Sequence, residues 1–112
     1  MADCLFCKIV ACEVPSTQVL ETERAYAFRD IAPHAPTHVL VVPKDHHTDV
    51  ASLVATDPEL CAAVFRAATE VAAQEGLTGG YRLITNTGPD SGQTVFHAHV
   101  HVLGGKVMGA LA

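Results

Sequence analysis

Histidine alternates with apolar residues over eight positions near the end of the chain, from 96 to 103. In a β-strand, side chains at every second position share one face, so this spacing places His97, His99 and His101 together. The opposite face carries only apolar side chains, at positions 96, 98, 100 and 102. We therefore expect a strand over residues 95–103, with its apolar face packed against the rest of the protein. Its histidine face must then line either solvent or a cleft.

A long helix is predicted over residues 57–75. The segment Thr56-Asp-Pro-Glu59 has the pattern of a capping box, in which Thr56 is the N-cap and Glu59 reaches back to it. Apolar residues then recur every three to four positions, which is typical of a helix with one buried face and places Cys61 on that face. Gly76 predicts where the helix ends.

Four further strands are predicted, at residues 17–21, 26–29, 38–42 and 81–86. The run at 38–42 is apolar enough to be buried on both of its faces. Strands precede and follow the long helix without regular βαβ alternation, which favours an α+β fold with an antiparallel sheet. A chain of 112 residues has the length of one domain, which we expect to span residues 1–112.

Charge and composition exclude several kinds of partner. Seven Lys and Arg against twelve Asp and Glu give a net charge of −5 without a basic stripe, which argues against nucleic acid or an anionic membrane as a partner. The longest apolar stretch, 38–43, is too short to span a bilayer. The first residues lack a secretion signal, so we expect a cytoplasmic protein with reduced cysteines. Cys4 and Cys7 are then either half of a zinc site or plain thiols.

The three alternating histidines indicate either phosphoryl chemistry or metal binding. A neutral imidazole is a good nucleophile toward phosphorus, and the middle ring, His99, has a neighbour on either side that can hold a phosphate. Alternatively, His97 and His99 could chelate a catalytic metal. Asp30 could contact a substrate or simply start a turn, and the glycine-containing loop 88–92 could contact phosphate or only join two strands.

Residues 97–103 read His-Ala-His-Val-His-Val-Leu, which matches the pattern His-φ-His-φ-His-φ-φ, where φ is apolar. With this motif the chain resembles the histidine-triad (HIT) family. Further segments resemble the Hint branch of that family in the same order, so that the resemblance covers about residues 4–105. These segments are Phe6–Val10, Ala27–Ile31, Ala35–His38, Val41–Lys44, Gly79–Arg82, Asn86–Gly88 and Gly92–Phe96.

The resemblance implies a five-stranded antiparallel sheet with one long and one short helix, and a homodimer whose sheets join into one of ten strands. It implies a hydrolase that cleaves the P–N bond of purine nucleoside 5′-phosphoramidates and needs no cofactor for the chemistry. The alternatives within the family are dinucleoside polyphosphate hydrolysis and nucleotidyl transfer. A further alternative is a regulator that binds nucleotide with little turnover.

The resemblance also implies roles for individual residues. His99 would be the nucleophile of a covalent nucleotidyl intermediate and His101 the ligand of a phosphate oxygen, with His38 and His97 completing the catalytic set. Asp30 matches the carboxylate that accepts the ribose hydroxyls. The remaining nucleotide-binding residues implied are Phe6, Phe28, Ile31, Asn86, Gly92, Gln93 and Thr94.

One sub-branch of the family that the chain resembles carries a structural zinc. Its ligands correspond here to Cys4, Cys7, His46 and His97. Two thiolates and two imidazoles suit a closed tetrahedral zinc site, in which His97 is not a free acid–base group. The alternative is that both cysteines are unliganded thiols.

Overall fold

A computed structural model describes residues 3–110 and has an α+β fold. Its elements are α1 (Leu5–Val10), β1 (Gln18–Glu21), β2 (Ala25–Arg29), β3 (Thr37–Pro43), α2 (Val50–Thr56), α3 (Pro58–Gln74), β4 (Tyr81–Ile84), a 3₁₀ turn (Pro89–Ser91) and β5 (Val100–Gly104). The five antiparallel strands, the long helix α3 and the short helix α1 confirm the predicted fold class. Within the described range, no helix is both long and apolar enough to cross a membrane.

The strands form one sheet in the order β1-β2-β3-β5-β4. Every neighbouring pair is antiparallel. The central strand β3 is buried at all seven positions, which confirms the expectation for residues 38–42. Because successive side chains of a strand point to opposite faces, a strand buried throughout must be covered on both sides.

Different helices cover the two faces of the sheet. Val39 of β3 belongs to a large apolar cluster that includes the buried face of α3. The next residue, Leu40, belongs to a smaller cluster on the other face, together with Phe6 of α1. Residues two apart in a strand share a face, so His38 lies on the α1 side with Leu40. The candidate histidines are therefore built on the face that the long helix does not cover.

The predicted N-cap of the long helix is wrong by one residue. Asp57 is the N-cap of α3, since its Oδ1 accepts the amide N–H of Leu60 at 3.0 Å. Its Oδ2 accepts from Arg24 Nη2 at 2.8 Å, so the same carboxylate also joins the helix to the turn before β2. Thr56 instead ends α2, a seven-residue helix that was not predicted because it is too short to express a clear period.

The end of α3 is as predicted. Gly76 has a φ of +72°, the left-handed conformation that glycine adopts without steric cost after a helix. The amide of Leu77 then donates to the carbonyl of Ala72 at 3.0 Å, which closes the last turn. The strand that follows, β4, ends at Ile84, two residues earlier than predicted.

The last strand is shorter than its sequence pattern indicates, because β5 begins at Val100 rather than at residue 95. Before it, the chain pairs with the loop after β3, where the amide of Ala98 donates to the carbonyl of His47. Ala98, Val100 and Val102 are buried in the α3 cluster, as the alternation predicts. Phe96 is not: it is 45% exposed, since the chain has already left the sheet at that point.

Candidate functional site

The four predicted catalytic histidines form one cluster beside Phe6 of α1. The ring centroid of His101 is 5.1 Å from that of His38 and 5.1 Å from that of His99. His97 and His99 both meet the ring of Phe6 edge-on, with centroids 5.9 and 5.1 Å away. The fold therefore brings the three alternating histidines together, although only His101 belongs to a regular strand.

A chain of hydrogen bonds determines which nitrogens carry protons in the His38–His101 pair. The backbone N–H of His34 donates to Nδ1 of His38 at 3.0 Å, so the proton of the neutral His38 ring lies on Nε2. That Nε2–H donates to Nδ1 of His101 at 2.8 Å. The neutral His101 ring then carries its proton on Nε2, where it can act as a hydrogen-bond donor to a ligand.

Burial keeps both rings neutral at physiological pH. It lowers the pKa of His38, although the nearby Asp30 carboxylate acts in the opposite direction. Burial is also the main reason why the pKa of His101 is lowered to about 4. The site thus presents a neutral donor at His101.

The tautomer of His38 argues against a metal site formed by Asp30, His38 and His101. Ligand atoms of Asp30, His38 and His101 lie within 4.8 Å of one another, as in a metal site. However, the His34 amide occupies Nδ1 of His38 and directs the proton onto Nε2, the atom that would have to bind the metal. The group is therefore better suited to orient His101 than to hold a cation.

The hydrogen bonds of His99 leave one nitrogen free. Its Nδ1–H donates to the backbone carbonyl of His97 at 2.7 Å, so Nε2 carries the lone pair. No residue of the described chain forms a hydrogen bond with that Nε2. Every fully buried polar side-chain atom among the described residues has a partner, so an Nε2 without one must be in contact with solvent. The hydroxyl of Thr85 donates to the His99 carbonyl at 2.8 Å and fixes the backbone just before β5 begins. The His99 ring is thus oriented by its hydrogen bond to the backbone, is 7% exposed, and has one accessible basic nitrogen.

The lowered pKa of His101 predicts an acid-dependent loss of stability. Between pH 6.5 and about 4 the unfolded chain binds a proton at His101 that the native protein does not, so the free energy of unfolding falls as the pH falls through this window. Between pH 7 and pH 5 the contribution of this one ring is on the order of 2 kcal/mol. We expect His101→Asn to lose correspondingly less stability than the wild type over this interval in urea titrations. An equal loss in both proteins would contradict the assignment of a neutral, half-buried His101.

A cavity of about 340 Å³ lies beside the histidine cluster. Its walls include five of the predicted nucleotide-binding residues, Phe6, Phe28, Asp30, Ile31 and Thr94. The surface is mainly apolar, and the ring of Phe6 separates it from His99 by direct contact with both. A larger cavity of about 610 Å³, between residues 76–82 and 105–108, contains none of the predicted site residues.

Asp30 starts a turn and also lines the cavity. Its Oδ1 accepts the amide of Ala32 at 2.8 Å, which is the turn that its position before Ile31 predicted. Its Oδ2 lies 3.5 Å from Nε2 of His38, and the side chain also lines the cavity. The carboxylate is therefore oriented by its own turn at the junction between the cavity and the histidines.

Gln93 lies in the loop before β5, and its side chain forms its hydrogen bonds within the chain. Its side chain is buried, its Oε1 accepts the amide of Gly88 at 2.8 Å, and Nε2 donates to the carbonyls of Thr48 and Val95. Both amide hydrogens are used within the chain, so Gln93 fixes the loop that presents Thr94 rather than offering a donor to a ligand.

Three other implied nucleotide-binding residues, Asn86, Gly92 and Thr94, lie in loops. Gly92 adopts a left-handed φ of +97° after the 3₁₀ turn, a conformation that favours glycine. Asn86 is half-buried in the loop that follows β4. Thr94 is exposed and lines the cavity.

Cys4, Cys7, His46 and His97 are brought together although they are far apart in sequence. One donor atom of each lies within 4.8 Å of all the others. Nδ1 of His97 is 3.3 Å from Sγ of Cys4, and Nδ1 of His46 is 3.4 Å from Sγ of Cys7. Nε2 of His97 donates to the carbonyl of Pro43 at 2.9 Å, which leaves the Nδ1 lone pair facing the sulfurs. These donors fit a tetrahedral zinc ion of the structural type.

The same contacts exclude the chelating pair considered from sequence. His97 is fully buried and uses one nitrogen on Pro43 and the other on the cysteines. His99 uses Nδ1 on the backbone of His97. With these partners the two rings cannot bind one metal ion together at the cavity. His97 is therefore not part of a catalytic metal site with His99, and it is not a free acid–base group.

Sequence reasoning missed several groups that build the site. The apolar walls of the cavity also include Leu5, Ile9, Pro15, Leu40 and Val95. The burial of Ile9 and Leu40 agrees with the apolar spacing of α1 and β3, but no local sequence signal shows that these residues line a cavity. The backbone groups that orient the histidines, from His34, Pro43 and His97, have no sequence signature at all, because every residue type offers them.

The comparisons with known proteins agree with this geometry. The family model described as the HIT domain matches residues 11–108. The 14 kDa zinc-binding protein of Zea mays is 47% identical over 106 residues, which cover 93% of this chain and 83% of that protein. A solved HIT family hydrolase from Clostridium thermocellum superposes with a TM-score of 0.93 at 46% identity, covering 99% of this chain and 97% of that one.

A more distant solved structure is a histidine triad nucleotide-binding protein from Candida albicans. It has a TM-score of 0.83 at 28% identity and covers 98% of this chain and 84% of its own. Together with the family model, these matches place the chain plainly: it belongs to the HIT family.

Proposed function

We propose that this protein is a nucleotide-binding hydrolase that cleaves the P–N bond of purine nucleoside 5′-phosphoramidates through a covalent intermediate on His99. The observation that carries the proposal is the accessible, unpartnered Nε2 of His99 beside an apolar cavity with one carboxylate. The likeness to a HIT family hydrolase from Clostridium thermocellum supports hydrolysis, and the likeness to a nucleotide-binding protein from Candida albicans supports a nucleotide as ligand.

The base, ribose and phosphate of a nucleotide would each lie against a different part of the site. The apolar walls, with Phe6, Phe28 and Ile31, suit a flat base, and Asp30 can accept hydrogen bonds from two ribose hydroxyls. The phosphate would then lie toward the histidines, within reach of Thr94. Asn86 and the Gly92 loop would border it, with Gln93 holding that loop in place.

The reaction would take place in two displacements at phosphorus. Nε2 of His99 attacks, the P–N bond breaks, and the amine leaves with a proton. Water then attacks the nucleotidyl-His99 bond, so that overall its hydroxyl goes to phosphorus and its hydrogen to the amine. The Nε2–H of His101 can donate to a nonbridging oxygen in both steps, and its orientation through His38 requires no rearrangement during the reaction.

We also propose a structural zinc held by Cys4, Cys7, His46 and His97. The likeness to the zinc-binding protein of Zea mays supports it, as do the spacing of the four donors and the tautomer of His97. When bound, the ion would tie α1 to the loop after β3 and to the segment that precedes His99; the chemistry at phosphorus does not require it.

The direct test is turnover of adenosine 5′-phosphoramidate followed by ³¹P NMR, with diadenosine polyphosphate as a second substrate. Release of AMP that is faster from the phosphoramidate than from the diadenosine polyphosphate supports the proposal. AMP binding without turnover of either compound would instead favour a nucleotide-binding regulator, and preference for the polyphosphate would favour the dinucleoside hydrolase.

A homodimer is proposed with the same site. The strand β4 is an edge of the sheet, so pairing two β4 edges would give ten continuous strands. Light scattering of the purified protein is expected to give twice the 11.8 kDa mass of the chain. A monomeric mass at micromolar concentration would contradict this proposal.

A further inference from the structure

Two of the proposed zinc ligands, Cys4 and Cys7, are also placed to react with each other. Both are half-buried free cysteines, and their Sγ atoms lie within 4.8 Å of one another. Cys4 is the N-cap of α1, and its carbonyl accepts the amide of Lys8 at 3.1 Å, so both cysteines belong to the same helical turn. Three residues along a helix separate two Cα atoms by about 5 Å, inside the range of roughly 4.4–6.8 Å that a disulfide spans.

A disulfide between these two residues requires rotation of side chains rather than movement of the helix. The sulfurs have to approach from within 4.8 Å to about 2.05 Å. Cys61 is buried in the α3 cluster on the other face of the sheet, and Cys12 is exposed after the end of α1. The pair at the start of α1 is therefore the one whose sulfurs are placed to bond.

Cys4 is the member of the pair that a small oxidant can reach. It lines a further cavity, also of about 340 Å³, whose walls include the exposed side chains of Leu5 and Phe96. The amide of Cys7 donates to Sγ of Cys4 at 3.4 Å, which orients this sulfur toward its partner. A reaction that begins at Cys4 thus has the second sulfur beside it.

We propose that the Cys4–Cys7 pair is a site of reversible oxidation by hydrogen peroxide, and that the resulting disulfide releases the zinc. The proposal rests on the proposed zinc site, in which both ligands are thiolates. Sγ of Cys4 attacks a peroxide oxygen and the O–O bond breaks, which gives a sulfenic acid and, after uptake of a proton, water. Sγ of Cys7 then attacks that sulfur, the S–S bond forms, and the hydroxide that leaves takes up a second proton. Two thiolates lose two electrons, and the peroxide is reduced to two waters.

The oxidised pair would change the nucleotide site through α1 and the segment before β5. Only the imidazoles of His46 and His97 remain as ligands, which is too few for a closed zinc site. The carbonyl of His97 accepts the Nδ1–H of His99, so the released segment is the one that orients the proposed nucleophile. Phe6, between the two cysteines, contacts the ring of His99 and lines the nucleotide cavity. Oxidation should therefore weaken nucleotide binding.

The test treats zinc-loaded Cys12→Ser protein with hydrogen peroxide; this substitution removes an exposed thiol outside the cluster. A chromogenic chelator follows zinc release, mass spectrometry of unreduced peptides maps the disulfide, and calorimetry measures AMP binding. We expect one Cys4–Cys7 disulfide for each zinc released, and an affinity for AMP lower by about fivefold or more. Dithiothreitol with added zinc should restore both properties.

The matched control is Cys7→Ser on the same background, which lacks the sulfur that completes the disulfide. It should accumulate a sulfenic acid on Cys4 that dimedone traps. The peptide map of the Cys12→Ser protein tests the disulfide even if this control does not fold.

Retention of zinc and of both thiols at peroxide concentrations that oxidise free cysteine would overturn the proposal. So would a disulfide with Cys61, or oxidation of Cys4 to a sulfinic acid without a disulfide. Release of zinc at unchanged AMP affinity would overturn the link to nucleotide binding. Purified protein without zinc would contradict the zinc site, and the peptide map of the metal-free protein then decides whether the disulfide forms. Reduced protein that does not bind AMP would contradict the proposed function alone, because zinc release and the disulfide are measured without nucleotide.

Discussion

His99→Ala is expected to lower turnover of adenosine 5′-phosphoramidate by roughly a thousandfold or more, while its affinity for AMP stays within about threefold of the wild type. The reason is that the reaction needs a basic nitrogen in contact with phosphorus, and His99 Nε2 is the atom that the hydrogen bonds of this site leave free. The base cavity does not include this ring, so it should remain intact. Single-turnover kinetics and calorimetry on the same preparation measure the two quantities.

The comparison has an internal control for folding. If AMP still binds to the variant, the cavity and Asp30 are in place, and a loss of turnover is then due to the missing imidazole. Turnover of His99→Ala within about tenfold of the wild type would contradict a nucleophilic role, because a residue that only orients others costs much less than one that forms the covalent bond.

Zinc removal is the second change with a large expected effect. The purified protein should contain one zinc per chain, and at free zinc 1,000 times above its Kd the ion should add about 4 kcal/mol to the free energy of unfolding. Burial and the neighbouring Cys4 raise the pKa of the Cys7 thiol, so Cys7 is protonated in the metal-free protein and releases its proton when zinc binds. Chelation followed by urea titration gives the difference.

The loss should extend to nucleotide binding because α1 joins the two sites. Cys4 is the N-cap of α1 and Cys7 lies within it, while Phe6 and Ile9 of the same helix line the cavity. Cys7→Ser should therefore lose zinc and bind AMP more weakly, whereas Cys12→Ser, which removes an exposed thiol outside the cluster, should retain both properties. Wild-type protein that folds and binds AMP without any zinc would refute this coupling.

Much of the fold could be predicted because its elements have local signals. The continuous apolar run of β3 indicated a doubly buried strand, and Gly76 indicated the end of α3. The N-cap was wrong because Thr56 and Asp57 are both good capping residues, and only the tertiary contact of Asp57 with Arg24 decides between them. Phe96 was misplaced because a sequence period does not reveal where pairing with a neighbouring strand stops.

The candidate site was predictable to the extent that side chains alone define it. The alternating histidines and the distant Cys4 and His46 indeed meet in space. What the pattern could not give is the direction of each proton, which depends on backbone groups such as the amide of His34. Nor could the pattern show that the Gln93 side chain forms its hydrogen bonds within the chain while Ser16 lines the cavity.

The most direct test of the account is to trap the intermediate. The protein is mixed with adenosine 5′-phosphoramidate for less than one turnover and quenched in alkali, in which a phosphorus–histidine bond survives, and the peptide containing residues 97–101 is fragmented in a mass spectrometer. The account predicts an adenylyl group on His99 that disappears as AMP is released. Turnover without any adduct, or an adduct on His97 or His101, would contradict it.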